Sequence, residues 1–136
     1  MKPSRRVLIV EDTEHAATTL EVALLAIPNL SVVLAASAQE ALLVLESGEP
    51  VSAIVTDLNM PRMDGFELIA RVRKGGRHRH APIVVISADT DPDTPERVKQ
   101  LGADAFFSKP YSPAKVRQKL EQLLNGIPAS QPTTMP

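Results

Sequence analysis

Five side chains of this sequence could do chemistry together: the carboxylates of Glu11, Asp12 and Asp57, the hydroxyl of Ser87 and the ammonium of Lys109. Each stands at or just past the end of a short apolar run. Val7–Val10 precedes Glu11-Asp12, Ala53–Thr56 precedes Asp57, Ile83–Ile86 precedes Ser87, and Ala105–Phe107 comes shortly before Lys109. If these runs are parallel strands, all five groups meet on one rim, because ligands of open parallel sheets bind beyond the carboxyl ends. Three carboxylates there repel one another: at ~5 Å and an effective dielectric of ~20, each pair costs about 3 kcal/mol. Repulsion of that size raises pKa values or demands a cation. Oxygen-only donors favour a hard ion such as Mg²⁺. Lys109 adds a second positive charge and Ser87 a neutral donor. Together they can hold a dianion against a carboxylate, which is the equipment for phosphoryl transfer onto aspartate. Singly, each residue has a plainer role: Glu11-Asp12 on a helix dipole, Asp57 in a turn, Ser87 as a cap, Lys109 on the surface. Their joint placement at four strand ends carries the stronger reading.

The elements that must position them are legible. Five short segments, the four above and Leu30–Ala35, are rich in apolar or β-branched residues, and three read as the continuous runs of strands buried on both faces. Between them lie helical patterns with end signals. Ser37-x-x-Glu40 is a capping box closed by Gly48, and Asp64-x-x-Glu67 repeats the device before Gly75-Gly76. Thr94-Pro95 and Ser112-Pro113 each place a capping hydroxyl before a proline at the first helical position. The first helix is expected from Thr13, turning Leu20, Ala23, Leu24 and Ile27 inward, and the last to end near Asn125-Gly126. Five strands alternating with five helices predict an α/β fold with a parallel sheet covered on both faces.

Composition sets the outer limits. At 136 residues this is roughly one domain. Lys+Arg 15 against Asp+Glu 16 excludes a strongly basic nucleic-acid binder. No cysteine is present, so disulfides, thiolate metal sites and cysteine nucleophiles are out. No apolar run nears the ~18 residues of a bilayer span or makes a signal peptide, so a cytoplasmic protein without membrane contact is expected. Residues 127–136 are rich in Pro, Thr and Ser without periodicity, and read as a flexible tail or linker after a domain at 5–126.

The set Glu11-Asp12, Asp57-Leu-Asn59-Met-Pro61-x-Met-Asp64-Gly65, Ser87-Ala88 and Lys109-Pro110 resembles the receiver domain of two-component response regulators, including the chemotaxis response regulator. The resemblance covers about residues 5–125. It implies a doubly wound, flavodoxin-like sheet of five strands in the order 2-1-3-4-5 with five helices. It also implies that Asp57 is the phosphoacceptor, attacking the phosphohistidine of a sensor histidine kinase or phosphotransfer protein. Asp12, Asp57 and the main-chain carbonyl of Asn59 would bind Mg²⁺, for which Mn²⁺ substitutes, with Glu11 acting through a water. Lys109 would contact the phosphoryl group, Ser87 would hydrogen-bond it after transfer, and the bond before Pro110 would be cis. Such a protein is not a turnover enzyme: it catalyses only its own phosphorylation and slow dephosphorylation.

A switch follows from the same resemblance. Ser87 is drawn to the new phosphate and Phe106 rotates into the vacated space, changing the face made by the fourth helix, fifth strand and fifth helix. Phe106 replaces the common tyrosine, so no ring hydroxyl reports outward, and Ser87 lacks a threonine methyl that would tighten coupling. Asn59 and Asp89 sit where the family tunes access of the hydrolytic water. The output partner is a protein or an effector domain outside this sequence, with no direct nucleic-acid binding and with self-association left open. A phosphate-independent interaction module of the same fold is the main alternative. Haloacid-dehalogenase-type phosphatases need a second Asp where Asn59 stands, and dinucleotide or FMN binding needs a glycine-rich turn where Glu11-Asp-Thr-Glu stands. The basic run Arg71–His80 reads as a solvated helix end and loop, with a docking patch for an acidic partner as the alternative, and His15 as a solvated histidine.

Overall fold

The computed structural model describes residues 5–60 and 62–126; the expected tail at 127–136 and Pro61 of the acceptor motif lie outside them. Five strands alternate with five helices: β1 (Arg5–Val10), α1 (Glu14–Leu24), β2 (Leu30–Ala35), α2 (Ala38–Glu46), β3 (Ala53–Asp57), α3 (Gly65–Lys74), β4 (Ile83–Ser87), α4 (Thr94–Leu101), β5 (Ala105–Ser108) and α5 (Pro113–Leu124). All strand pairs are parallel, in the order β2-β1-β3-β4-β5. Asp57 pairs with Ile86 and Ser87 with Ser108, so the carboxyl ends of β3, β4 and β5 lie flush. That is the doubly wound sheet expected from the sequence.

Alternation along the central strands divides the apolar side chains between two cores. Leu8 and Val10 face α2, α3 and α4 with Ile54, Leu68 and Ile69. Val7 and Ile9 face α1 and α5 with Leu20, Leu24, Val116 and Leu120. The runs 7–10, 53–57 and 83–87 are buried throughout, because those strands are covered on both sides, whereas the edge strands β2 and β5 are half-buried.

Local chemistry starts most helices as the sequence predicts. The hydroxyls of Ser37 and Ser112 accept the N–H of Glu40 and Lys115, and Glu40 reaches back to the N–H of Ala36. Two expectations need correction. Asp64 accepts the N–H of Glu67, but the Glu67 carboxylate does not close a box; it takes the Arg71 guanidinium at 2.8 Å. Thr94 is the first helical residue and not the cap, which is Asp93; the Asp93 side chain makes no capping hydrogen bond, and the Asp93 N–H donates to the Asp91 carboxylate. In addition, Ile27 is buried, as expected, but from the turn after α1.

The basic run at 71–80 is not a solvated segment throughout. Arg73 is half-buried and donates to the carbonyls of Gly102, Arg79 and Ala81 and to Asp104, 3.1 Å away. Asp104 in turn accepts the N–H of Ile83. The pair ties the end of α3 to the starts of β4 and β5. His78 is only 8% exposed, and its Nε2 accepts the N–H of Val51 at 3.0 Å. Burial first, and the neighbouring Arg77 second, hold its pKa below the usual histidine value.

A depressed histidine pKa has a definite sign. The unfolded chain takes up the proton first, so the contribution of His78 is whole above the ordinary value of 6.5 and is lost as pH falls towards the lower folded value. His78→Gln, which keeps an acceptor for Val51 without a titrating ring, should therefore lose less stability than the parent between pH 7.5 and 5.5. Thermal melts of both proteins across that interval check it; parallel losses would contradict the assignment.

Candidate functional site

The five chemically capable groups do gather at the carboxyl edge. Glu11 follows β1 with its N–H held by the carbonyl of Ala35. Its carboxylate is 3% exposed, accepting the N–H of Thr13 on Oε2 and the Lys109 ammonium on Oε1, each at 3.1 Å. Asp57 ends β3 and is 5% exposed. Its Oδ1 accepts two main-chain N–H groups, from Leu58 at 2.6 Å and Asn59 at 3.2 Å, while Oδ2 accepts Lys109 at 2.9 Å. Asp12 is exposed at the mouth. One oxygen from each of Glu11, Asp12 and Asp57 lies within 4.8 Å of the others.

Lys109 reaches this cluster from just past the end of β5. Its N–H donates to the carbonyl of Ser87 at 2.8 Å, and the Lys109-Pro110 peptide is cis. Its long side chain then lies between two buried carboxylates. Burial acts to lower its pKa, but hydrogen bonds and charge from Asp57 and Glu11 more than reverse that, so the pKa is raised. Glu11 is raised too, chiefly by burial and further by the charge of Asp57, against the pull of Thr13 and Lys109. Three carboxylates facing one ammonium leave two negative charges, all on hard oxygen donors. That donor set and charge fit a divalent cation of the Mg²⁺ kind.

The remaining candidates surround this centre. Ser87 is fully buried, and its hydroxyl accepts the N–H of Asp89 at 3.0 Å. Phe106 is half-buried against the core beneath α2, α3 and α4. Asn59 is exposed and Asp89 half-buried, both at the rim, and His15 is exposed on α1 as expected.

Two residues and one role escaped the sequence reading, the role being that of Gly65, which the motif already named. Tyr111, the only tyrosine, is half-buried beside the centre; burial raises its pKa, and the charges of Lys109, Glu11 and Asp57 act on it as well. Its place two residues past Lys109 was the available signal. Gly65 opens α3 against the acceptor loop, its N–H donating to Leu58, with the main chain of Asp57 and Leu58 where a Cβ would stand. Next to it, Phe66 carries the Arg97 guanidinium of α4 over its ring at 3.9 Å, a cation–π contact that no spacing in the sequence announces.

Comparisons with known proteins agree with this geometry. The rice two-component response regulator ORR13 (Oryza sativa subsp. japonica) is 32% identical over 120 residues, spanning 88% of this chain and 98% of that protein. A chemotaxis protein CheY homologue of Campylobacter jejuni subsp. jejuni is 27% identical over 119 residues, 88% of this chain and 92% of its own. Among solved structures, the receiver domain of sensor histidine kinase PA1611 from Pseudomonas aeruginosa PAO1, crystallised with a magnesium ion coordinated in its active-site cleft, superposes with a TM-score of 0.79. Its sequence is 25% identical, over 90% of this chain and 99% of that one. The family model for the response regulator receiver domain matches residues 7–121, and with the sheet order and the acidic pocket already in place, the chain belongs to that family of two-component signalling domains.

Proposed function

We propose that this domain is a phosphoacceptor switch in which Asp57 takes a phosphoryl group from a phosphohistidine of a kinase or phosphotransfer protein. The observation that carries the reading is the division of labour within the Asp57 carboxylate. Oδ1 accepts two main-chain N–H groups while Oδ2 meets only the Lys109 ammonium, which leaves Oδ2 as the nucleophile. Oδ2 attacks phosphorus as the P–N bond of the donor breaks; the imidazole departs with that electron pair and takes a proton from solvent. Lys109 is positioned to exchange its contact with Asp57 for the phosphoryl oxygens, remaining paired to Glu11. Asp12, Asp57 and the carbonyl of Asn59 are the residues that would hold Mg²⁺, with Glu11 acting through water. When bound, Mg²⁺ supplies positive charge to phosphoryl oxygens. Mn²⁺ offers the same oxygen preference.

Residues 5–126 are the functional unit. After transfer, the Ser87 hydroxyl is expected to leave the Asp89 N–H for the phosphate, and Phe106 to follow, changing the α4-β5-α5 face that a partner reads. Asn59 and Asp89 at the rim set how easily water reaches the acyl phosphate. The domain modifies only itself and turns over no other substrate. Among the described residues no helix is long and apolar enough to cross a membrane; a cytoplasmic site of action is part of the same proposal.

The bond type gives a direct test. The chain, labelled by a phosphorylated histidine phosphotransfer protein, should carry phosphate that neutral hydroxylamine releases, because an acyl phosphate is attacked at its carbonyl. Label resistant to hydroxylamine would mean a serine, threonine or tyrosine ester and would refute Asp57 as acceptor. Complete absence of label, with the partner surface intact, would favour a phosphate-independent interaction module.

A further inference from the structure

The opposite end of the molecule is built differently from the acidic rim. From Leu68 to Ala88 the sequence has no Asp or Glu, although acids and bases are balanced over the whole chain. That stretch holds Arg71, Arg73, Lys74, Arg77 and Arg79. Arg73 is consumed by its half-buried network, and Arg71 is paired with Glu67. Lys74, Arg77 and Arg79 are exposed, and none has a carboxylate within ion-pair distance among the described residues.

Two of these cations are pre-oriented. Arg77 Nη1 donates to the carbonyl of Gly48 at 2.7 Å, and Arg79 Nη1 to that of Gly76 at 3.0 Å. One main-chain contact fixes each guanidinium while most of its five N–H groups remain available. Arg77 also lines a groove between α2 and α3 of about 420 Å³, within the size range of ligand sites. The groove has an apolar floor from Leu42, Leu45 and Val72, an open mouth at Gly75-Gly76, and a single carboxylate, Glu46. Leu43 stands on the outer face of α2, 67% exposed.

We infer that this groove and its basic rim form a docking site for an acidic peptide segment of a partner protein, one apolar side chain seated on the floor and flanking carboxylates on Arg77 and Arg79. Charge complementarity selects the occupant. Nucleic acid would leave the apolar floor unused, and the groove lining holds no Phe, Tyr or Trp on which a base could stack. A bilayer is too flat for a recessed floor. The site is separate from the acceptor chemistry, which is at the other edge of the sheet, and it does not depend on Asp57 being phosphorylated.

The test is a ¹H–¹⁵N titration of the full chain with acetyl-Asp-Glu-Leu-Glu-Asp-amide, alongside its Asn/Gln analogue, a short single-stranded DNA and phosphatidylglycerol vesicles. The acidic peptide should shift the amides of Leu42, Val72, Gly75, Gly76 and Arg77 with roughly millimolar affinity, as suits a few contacts. Arg77→Glu or Arg79→Glu should each weaken it about tenfold, since a charge-assisted bond is lost and a repulsion added. Both side chains are exposed, and unchanged circular dichroism would exclude misfolding as the cause. Added salt should weaken binding. Absence of shifts at these amides, equal binding of the uncharged analogue, or indifference to both charge reversals would overturn the proposal. Tighter binding of DNA or vesicles at the same residues would replace it with a generic polyanion surface.

Discussion

Asp57→Asn should abolish acyl-phosphate formation completely while leaving the fold intact. Asparagine retains an oxygen in the position of Oδ1, so the N–H groups of Leu58 and Asn59 keep their acceptor and the loop after β3 keeps its shape. What is lost is the anionic oxygen beside Lys109, which is the nucleophile. Lys109 keeps Glu11 as its partner, so no buried charge is left unpaired and the fold should persist with only a small change in stability. Phosphorylation yield and a thermal melt on the same preparation check both halves. Residual acyl phosphate in this variant would identify a second acceptor, and the exposed Asp12 would be the first to examine.

Gly65→Ala carries the largest expected structural cost at the site. A Cβ there would collide with the main-chain oxygen of Asp57 and stand 2.8 Å from the Cα of Leu58. Both obstacles are backbone, so no side chain can rotate away. Either α3 backs off, breaking the bond from Gly65 N–H to Leu58, or the acceptor loop is displaced. Overpacking of this kind costs about 2–3 kcal/mol, a fall in Tm on the order of 10 °C. Because the displaced atoms are those that aim Asp57, phosphorylation should slow in the surviving folded fraction as well. A melting curve with a rate measurement below the transition tests it; a normal rate and an unchanged Tm would mean that α3 tolerates the shift. Gly76→Ala offers a contrast, as its surroundings are open and only its left-handed φ of 94° opposes a side chain.

How much of this was legible in the sequence depended on the range of the physics involved. The strands at 7–10, 53–57 and 83–87 announce themselves because burial on both faces favours runs of apolar side chains; alternation with helices makes the sheet parallel, while its order came from the resemblance to receiver domains. The residues of the carboxyl edge were readable because a parallel sheet delivers every strand end to one rim, so Glu11, Asp57 and Lys109 meet from distant parts of the chain. Ser37 and Ser112 act within one helical turn and were equally plain. The misread basic run involves partners chosen by tertiary structure. His78 finds Val51 27 residues away and Arg73 finds Asp104 31 residues away. In sequence both look like members of a solvated basic run. Glu67 had a local choice between a cap and Arg71, and the ion pair prevailed. Arg97 on Phe66 and Tyr111 beside Lys109 likewise required the packed helices to be in place.

The central claim is that the acidic pocket is a Mg²⁺-dependent phosphoacceptor. Incubating the chain with acetyl phosphate, with and without Mg²⁺, and weighing the intact protein tests it most directly. A gain of one phosphoryl group only when the metal is present is the predicted result. An unchanged mass with the metal, or an equal gain without it, would contradict the account.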